Sequence, residues 1–486
     1  MQGLRGGGVM STKEKQTLTI LHTNDIHSHF GSMSSIAAMI GQEREQSENV
    51  LVLDIGDHMD RMAVETEGTL GGANVDVINL TGYDAITIGN NEGLTFTPEQ
   101  LAQSYTGLLC PVVCGNVVEE ASGLPPVWMK PSLIVEKGPF RIGLLGATAP
   151  FTAFYDLLGW KLLDPVETLR EQVEALRPNV DVVIILSHLG LSTDRKLAEQ
   201  IEGIDVILGG HTHHVLEEPL VIGNAVLGAA GKFGQWLGKV VLEWDSGANK
   251  LELVSSGCFP LKDQMLDEKV TLAIAAHRDE AERALGQTAV IIDRTLPIKY
   301  ERESPFASLL AQAVRHFTGA QLSLVNAGQL LGELPQGDIS KGMLHSLCPS
   351  PINACTIRLK GSEIREALEQ SLLPEFFDKP IIGFGFRGKI LGTVCVDGME
   401  VEYDPQGAPH KKIRALYVEG KPMADEQEYV VGTLDMFTFN VGYPSLARGT
   451  EIAYRLPEFI RDLLEIELKR PGALDDSLRS RWHERI

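Results

Sequence analysis

Cysteine is scarce in this chain of 486 residues: six thiols, Cys110, Cys114, Cys258, Cys348, Cys355 and Cys395, with no CxxC among them. That excludes a disulfide-stapled scaffold or a cysteine-built zinc site as the organising feature, and free thiols are expected. No apolar run reaches bilayer-spanning length, and no apolar stretch of signal-peptide length follows Arg5, so neither a span nor a leader is read. Positive charge is also short. Lys and Arg number 43 against 65 Asp and Glu, a formal net charge of −22. Such a surface repels polyanions, so a nucleic acid polymer and an acidic membrane are not expected as partners. Phosphate binding survives the argument where metal ions supply local positive charge. Internal repeats and low-complexity tracts are missing too. Residues 1–16, with Gly6-Gly7-Gly8, read as a disordered start in which Met10 is an alternative initiator, and the protein reads as cytoplasmic.

The length is too great for one ordinary core and predicts two domains. An apolar content of 43% fits a globular protein. The stretch around which the rest is organised is Leu21-His22-Thr23-Asn24-Asp25-Ile26-His27-Ser28-His29. It follows a short β-prone run that breaks into polar residues at Asp25, where a strand of an α/β sheet would end. Such strand ends are where α/β sheets build their sites. Asp25 and His27 lie two apart, so both side chains can point the same way, and a carboxylate with an imidazole can hold a divalent transition metal. Asp-x-His alone is more often a capping Asp beside a surface His.

Four more apolar runs end in the same manner. Val50-Leu51-Val52-Leu53-Asp54-Ile55 runs into Gly56-Asp57, and Ala85-Ile86-Thr87-Ile88 into Gly89-Asn90-Asn91-Glu92. Val182-Val183-Ile184-Ile185-Leu186 runs into Ser187-His188, and Val206-Ile207-Leu208 into Gly209-Gly210-His211-Thr212-His213. Helical spacing over residues 34–46 and 165–176, and a glycine-opened helix from Gly71-Gly72 toward Leu80, make this an α/β domain. Each ending has a local alternative: Asp57 as a turn or N-cap, Asn90-Asn91 as a turn, His188 as a satisfied polar neighbour. Five such coincidences together favour a site.

These residues, taken together and in order, resemble the calcineurin-like metallophosphoesterases, and more closely the bacterial 5′-nucleotidase/UDP-sugar hydrolase family. The resemblance covers roughly residues 17–260 and implies a four-layer αββα sandwich. It implies two divalent ions (Mn, Zn, Fe or Co) bridged by Asp57, one held by Asp25, His27 and His213, the other by Asn90, His188 and His211. Two cations about 3.5–4 Å apart activate a water between them, and the hydroxide attacks phosphorus in line. One departure stands out. Where most of the family has a catalytic His, with an Asp three residues on, this chain has Asn91 and Leu94. Asn91 can donate a hydrogen bond to a phosphate oxygen but cannot supply a proton, so general-acid help, typically about 10²–10⁴-fold, is missing unless another group provides it. His22, His29, His58 and His214 lie near the motifs, and the sequence prefers none.

Residues 240–244 and 251–254 read as closing strands, and 267–285 as a linking helix ending at Gly286. From about 287 to 470 the pattern is again α/β, with a helix at 305–317 and a strand at 322–326, followed by a tail at 471–486. This part resembles, less specifically, the family's C-terminal substrate-recognition domain. The resemblance points to Asn326 and Gly328 in Asn326-Ala327-Gly328, to residues 361–371 as the helix after its turn, and to 437–444 as its aromatic loop. The phosphate-facing Arg expected at position 331 is Leu331, and the usual Pro-Phe-Gly-Asn segment reads Pro349-Ser350-Pro351-Ile352-Asn353. Phe437 and Phe439 are candidates for a base-stacking platform, worth about 1–3 kcal/mol per base, with ordinary core packing as the equal alternative. Arg387, in Gly383-Phe384-Gly385-Phe386-Arg387-Gly388, is a candidate for the missing Arg. The expected function is a metal-dependent phosphohydrolase of a small, nucleotide-like phosphate ester. The alternatives are a hydrolase of a non-nucleotide ester and a ligand sensor that keeps its metals without turnover. Oligomeric state is not legible.

Overall fold

A computed structural model describes residues 16–245, 250–261 and 265–485. The expected disordered start and the alternative initiator Met10 lie outside the described residues, apart from Gln16. Two compact units emerge. One takes the chain up to Asp60 and from Leu70 to Ala276, the other takes Arg61–Thr69 and everything from His277 onward.

The first unit holds two large sheets and a two-stranded one, Val117–Glu119 with Trp160–Leu162. The seven-stranded one runs in the order Lys250–Pro260, Trp236–Asp245, Gln16–Thr23, Val50–Asp54, Ala85–Ile86, Val112–Val113, Met129–Lys130. The six-stranded one runs Leu220–Ile222, Ala225–Gly228, Val206–Gly209, Val182–His188, Phe140–Thr148, Ser132–Lys137. Leu18, Ile20, Leu51 and Leu53 of the first sheet and Ile142, Leu144, Ile184 and Leu208 of the second are buried in one cluster. That shared core makes a sandwich. On the second sheet's other face, Leu145, Ile185 and Ile207 pack with Leu169 and Val173 of helix Pro165–Leu176 and Leu197 of helix Leu191–Gln200. Residues of strand Val182–His188 therefore alternate between two buried faces, which is why the strand is apolar throughout. The helix Pro165–Leu176 begins where Asp164 accepts hydrogen bonds from Val166 N and Glu167 N, with Pro165 at its first position, an N-cap that satisfies otherwise orphaned donors.

The second unit is built on a five-stranded mixed sheet, Val394–Asp397, Leu322–Asn326, Glu428–Leu434, Asn353–Lys360, Thr450–Phe459. Helix Pro305–Thr318 is amphipathic and buries Phe306, Leu309, Leu310 and Val314 in the core of this unit. Two details differ from expectation. Residues 471–486 are not a bare tail: they carry helix Ala473–Ser477 and strand Trp482–Glu484, which pairs in parallel with Met399–Tyr403. Helix Glu268–Leu285 is divided between the units at Ala276 rather than standing apart from both.

The short excursion Arg61–Thr69 belongs to the second unit for an electrostatic reason. Glu67 accepts from Arg61 at 2.7 and 3.0 Å and from Arg461 at 2.9 Å. Both guanidinium groups also stand over the Phe459 ring, at 4.9 and 4.7 Å. Burial would raise the Glu67 carboxyl, but the charges of Arg461 and Arg61 outweigh it and hold it down at about 2. The sequence carries no sign of this crossing, because a six-residue polar helix has no apolar stripe to report its partner.

Candidate metal centre

All five expected strand ends deliver their polar residues to one place in the first unit. Three belong to the first sheet (Gln16–Thr23, Val50–Asp54, Ala85–Ile86) and two to the second (Val182–His188, Val206–Gly209). Beyond the strands the chain continues as a backbone ladder. Asp25 N donates to Gly56 O, His27 N to Asp57 O and Ser28 N to His58 O, at 3.0, 2.8 and 2.9 Å. Close approach sets the rest. A side chain at Gly56 (φ +85°) would lie 2.5 Å from Gly89 N, and one at Gly89 would lie 2.1 Å from Asp57 Oδ1. Glycine is required at both.

Two compact donor groups result: Asp25 with His27 and His213, and Asp25 with Asp57 and His188. In the first, His27 Nε2 lies 3.3 Å from His213 Nε2 and 3.7 Å from Asp25 Oδ1, and His213 Nε2 lies 3.4 Å from Asp25 Oδ1. Bonds of roughly 2.0–2.1 Å in a tetrahedral arrangement would separate ligand atoms by about 3.3 Å, so the spacing suits one ion. In the second, His188 Nε2 is 3.3 Å from Asp57 Oδ2. His211 Nδ1 and Asn90 Oδ1 meet at 2.8 Å, and the His188 and His211 rings are 5.4 Å apart. Asp57 also stands 3.8 Å from His27 Nε2, which places it between the two sets.

The donor chemistry fits a metal on an independent observation. His188 is fully buried, and its Nδ1 donates to Ile55 O at 2.7 Å. That bond turns the other nitrogen toward the carboxylates, where Nε2 is buried with no hydrogen bond among the described residues. An inward nitrogen oriented by a carbonyl behind it is how metal-binding imidazoles are held. Without a cation a proton takes its place. Burial opposes a charged His188, but the carboxylates of Asp57 and Asp25 outweigh it and raise the group to about 10. Burial likewise pushes Asp57 up, and the charges of His188 and His27 prevail and hold it below the ordinary carboxylate range.

Two residues that hold the site in shape have no role assigned from the sequence. Glu92 accepts from Asp57 N, Met59 N and Gly89 N at 3.0, 2.7 and 2.9 Å. Asn24 donates to Asp25 Oδ2 and Gly231 O and accepts from Ala230 N. Both sit inside the strand-end motifs, and their backbone partners, invisible in sequence, reveal them. The side-chain amide of Asn91 lies 2.7 Å from His27 Nδ1, and its backbone N–H donates to Asp57 Oδ1. The nearby histidines now separate. Burial lowers His22 to about 4 and His58 to about 3, so both are neutral interior groups. His29 is exposed and stacks on Phe233 at 3.8 Å, and His214 pairs with Thr212.

The substrate-facing candidates of the second unit are not gathered in the same way. Asn326 is buried, donating to Leu391 O and accepting from Gln329. A side chain at Gly328 would lie 2.0 Å from Ile390 O, so both serve the turn itself. Phe437 is 0% exposed and lies in the core beside Tyr443, which corrects its reading as a platform. The ring that accompanies Phe439 is Phe384: the two are stacked at 6.0 Å and are 38% and 56% exposed. Phe384 was legible only as part of a glycine-aromatic loop. Arg387 is half-buried in that loop, its N–H donating to Ser350 Oγ.

Comparison with known proteins agrees with this architecture. Residues 18–215 match the calcineurin-like phosphoesterase family and residues 284–447 the 5′-nucleotidase C-terminal domain. An uncharacterized metallophosphoesterase of Bacillus subtilis, YunD, is 35% identical over 460 residues, spanning 93% of this chain and 99% of that one. A probable 5′-nucleotidase of Treponema pallidum is 30% identical, over 73% of this chain and 75% of that protein. The solved NAD nucleotidase of Haemophilus influenzae shares the fold, with a TM-score of 0.70 at 17% identity over 97% of this chain and 100% of that one. The chain belongs to the calcineurin-like metallophosphoesterases that carry a 5′-nucleotidase C-terminal domain, a family of phosphoester hydrolases.

Proposed function

We propose that the chain is a dinuclear phosphohydrolase of a small, nucleotide-like phosphate ester. Asp25, His27 and His213 hold one ion, Asn90, His188 and His211 the other, and Asp57 bridges them. The observation that carries this reading is the pair of donor groups with Asp57 between them, its Oδ2 3.3 Å from His188 Nε2 and 3.8 Å from His27 Nε2, and His188 Nε2 turned inward by Ile55 O. Bound there, the ions supply an activated hydroxide and stabilise charge on the phosphoryl oxygens, chemistry to which manganese, zinc, iron and cobalt are all suited. The chain's own part is to fix the donors on rigid strand ends and to orient the His188 ring through its bond to Ile55 O. A nucleotide-like substrate is supported by the names of the relatives and by the exposed stacked pair Phe384 and Phe439, which offers a base-sized aromatic face in the second unit. The second unit is accordingly read as the specificity half. Six free thiols, four of them buried, support action in the cytoplasm.

The position held by Asn91 decides which esters react well. An ordinary sugar hydroxyl leaves as a basic alkoxide that needs a proton, whereas a pyrophosphate or aryl group leaves as a far weaker base. With no acid at position 91, turnover depends steeply on leaving-group basicity. Pyrophosphate-linked and aryl substrates are expected to outperform nucleoside monophosphates. A series of phosphate esters of graded leaving-group pKa, run with one metal, tests this. A flat series contradicts it, and no turnover of any member would favour the sensor reading.

A further inference from the structure

His27 faces the donor group with Nε2, and a metal ion takes the lone pair of that nitrogen. The ring's one proton must then sit on Nδ1, and a buried N–H needs an acceptor. His188 meets the same requirement with the Ile55 carbonyl. At His27 two side chains converge on Nδ1: the Asn91 amide, placed with Nδ2 at 2.7 Å, and Asp60 Oδ2 at 3.5 Å. The two ends of an amide are interchangeable in outline. Its nitrogen here would set donor against donor, while its oxygen would accept. A carboxylate is acceptor-only and carries no such ambiguity.

Asp60 is also held in place. It is 4% exposed, and its N–H donates to Ser28 Oγ at 2.7 Å. That oxygen accepts in turn from Asn74 Nδ2 at 3.0 Å. Resting on the two-ion reading, we propose that Asp60 is the positioning carboxylate of His27. Together with the Asn91 amide oxygen it accepts from Nδ1–H and so presents Nε2 to the metal. One loop then contributes both the bridging Asp57 and, three residues on, the carboxylate behind a ligand of the first ion. A carboxylate behind a ligating imidazole fixes its tautomer and raises its basicity, typically worth 10–100-fold in metal affinity. Asn91 is thereby engaged with a ligand of the first ion.

The test uses the full chain as wild type, Asp60→Ala and Asp60→Asn. Zinc affinities come from chelator competition, and the His27 tautomer from ¹⁵N-histidine NMR assigned with His27→Gln. Wild type should take up zinc with His27 as the Nδ1–H form. Asp60→Ala should weaken one site by about 10–100-fold, leave the other within a few fold, and lose the single tautomer. Asp60→Asn, which keeps an acceptor oxygen, should fall between. Wild-type affinities and an unchanged Nδ1–H signal in Asp60→Ala would overturn the role of Asp60 alone. Failure of wild type to bind zinc would overturn the two-ion reading and this inference with it.

Discussion

Glu92 contributes no atom to the donor groups, yet three backbone N–H groups, of Asp57, Met59 and Gly89, end on its carboxylate. Oε2 accepts two of them and Oε1 the third, so both oxygens are needed as acceptors. Glu92→Ala orphans all three in a buried setting, at about 1–3 kcal/mol each, and should unfold several kcal/mol more easily. Glu92→Gln is the sharper test. Its amide nitrogen must face a backbone N–H, so the variant should lose stability nearly as far as alanine although its shape is unchanged. Denaturant unfolding of the three proteins measures this, and a Gln variant as stable as wild type would contradict the assignment. The residues of the two donor groups were readable in the sequence because each stands at the end of an apolar run. Glu92 and Asp60 were not, since the partners that give them roles are backbone groups and a histidine ring brought in by the fold.

At the scale of elements, the strand endings were the legible part. The runs at Val50–Asp54, Val182–His188 and Val206–Gly209 and the helix Pro165–Leu176 stand where periodicity puts them, and helix Gly361–Ser371 where the family resemblance puts it. The loop conformations beyond the strands could not be read. Asp25, His27, Asp57, His211 and His213 all take left-handed backbone angles, with φ of 51°, 48°, 52°, 70° and 57°. A side chain makes that region costly, by roughly 1–2 kcal/mol per residue, and local preference argues against each one. The ladder between the Asp25 and Asp57 loops and the glycine contact at Gly56 and Gly89 impose it. Concentrated strain of this kind is a mark of functional sites. Strand Ala85–Ile86 is shorter than its apolar run, and just beyond it Thr87 N donates to Asp54 O at 3.0 Å.

At the scale of the whole molecule, each unit carries its own core, and the second has a pH response of its own. Asp435 is buried at the end of strand Glu428–Leu434. Burial pushes its carboxyl up from 3.8 to about 7, against the N–H groups of Asn353 and Met436 that lower it. The folded state thus holds this proton more tightly than the unfolded chain. Its contribution to stability is complete below about 4 and is lost as pH rises to about 7. Asp435→Asn should therefore flatten the decline in unfolding free energy between about pH 4 and 7, by no more than a few kcal/mol at about 1.36 kcal/mol per pKa unit. An unchanged slope would contradict the shift. The central claim lies in the first unit, where one carboxylate is shared by two ions. Elemental analysis of metal-loaded wild type and Asp57→Ala, both checked for folding, tests it most directly. The account predicts two divalent ions per wild-type chain and the loss of both, with activity, in the variant. Two ions retained in Asp57→Ala, or none bound by the wild type, would contradict it.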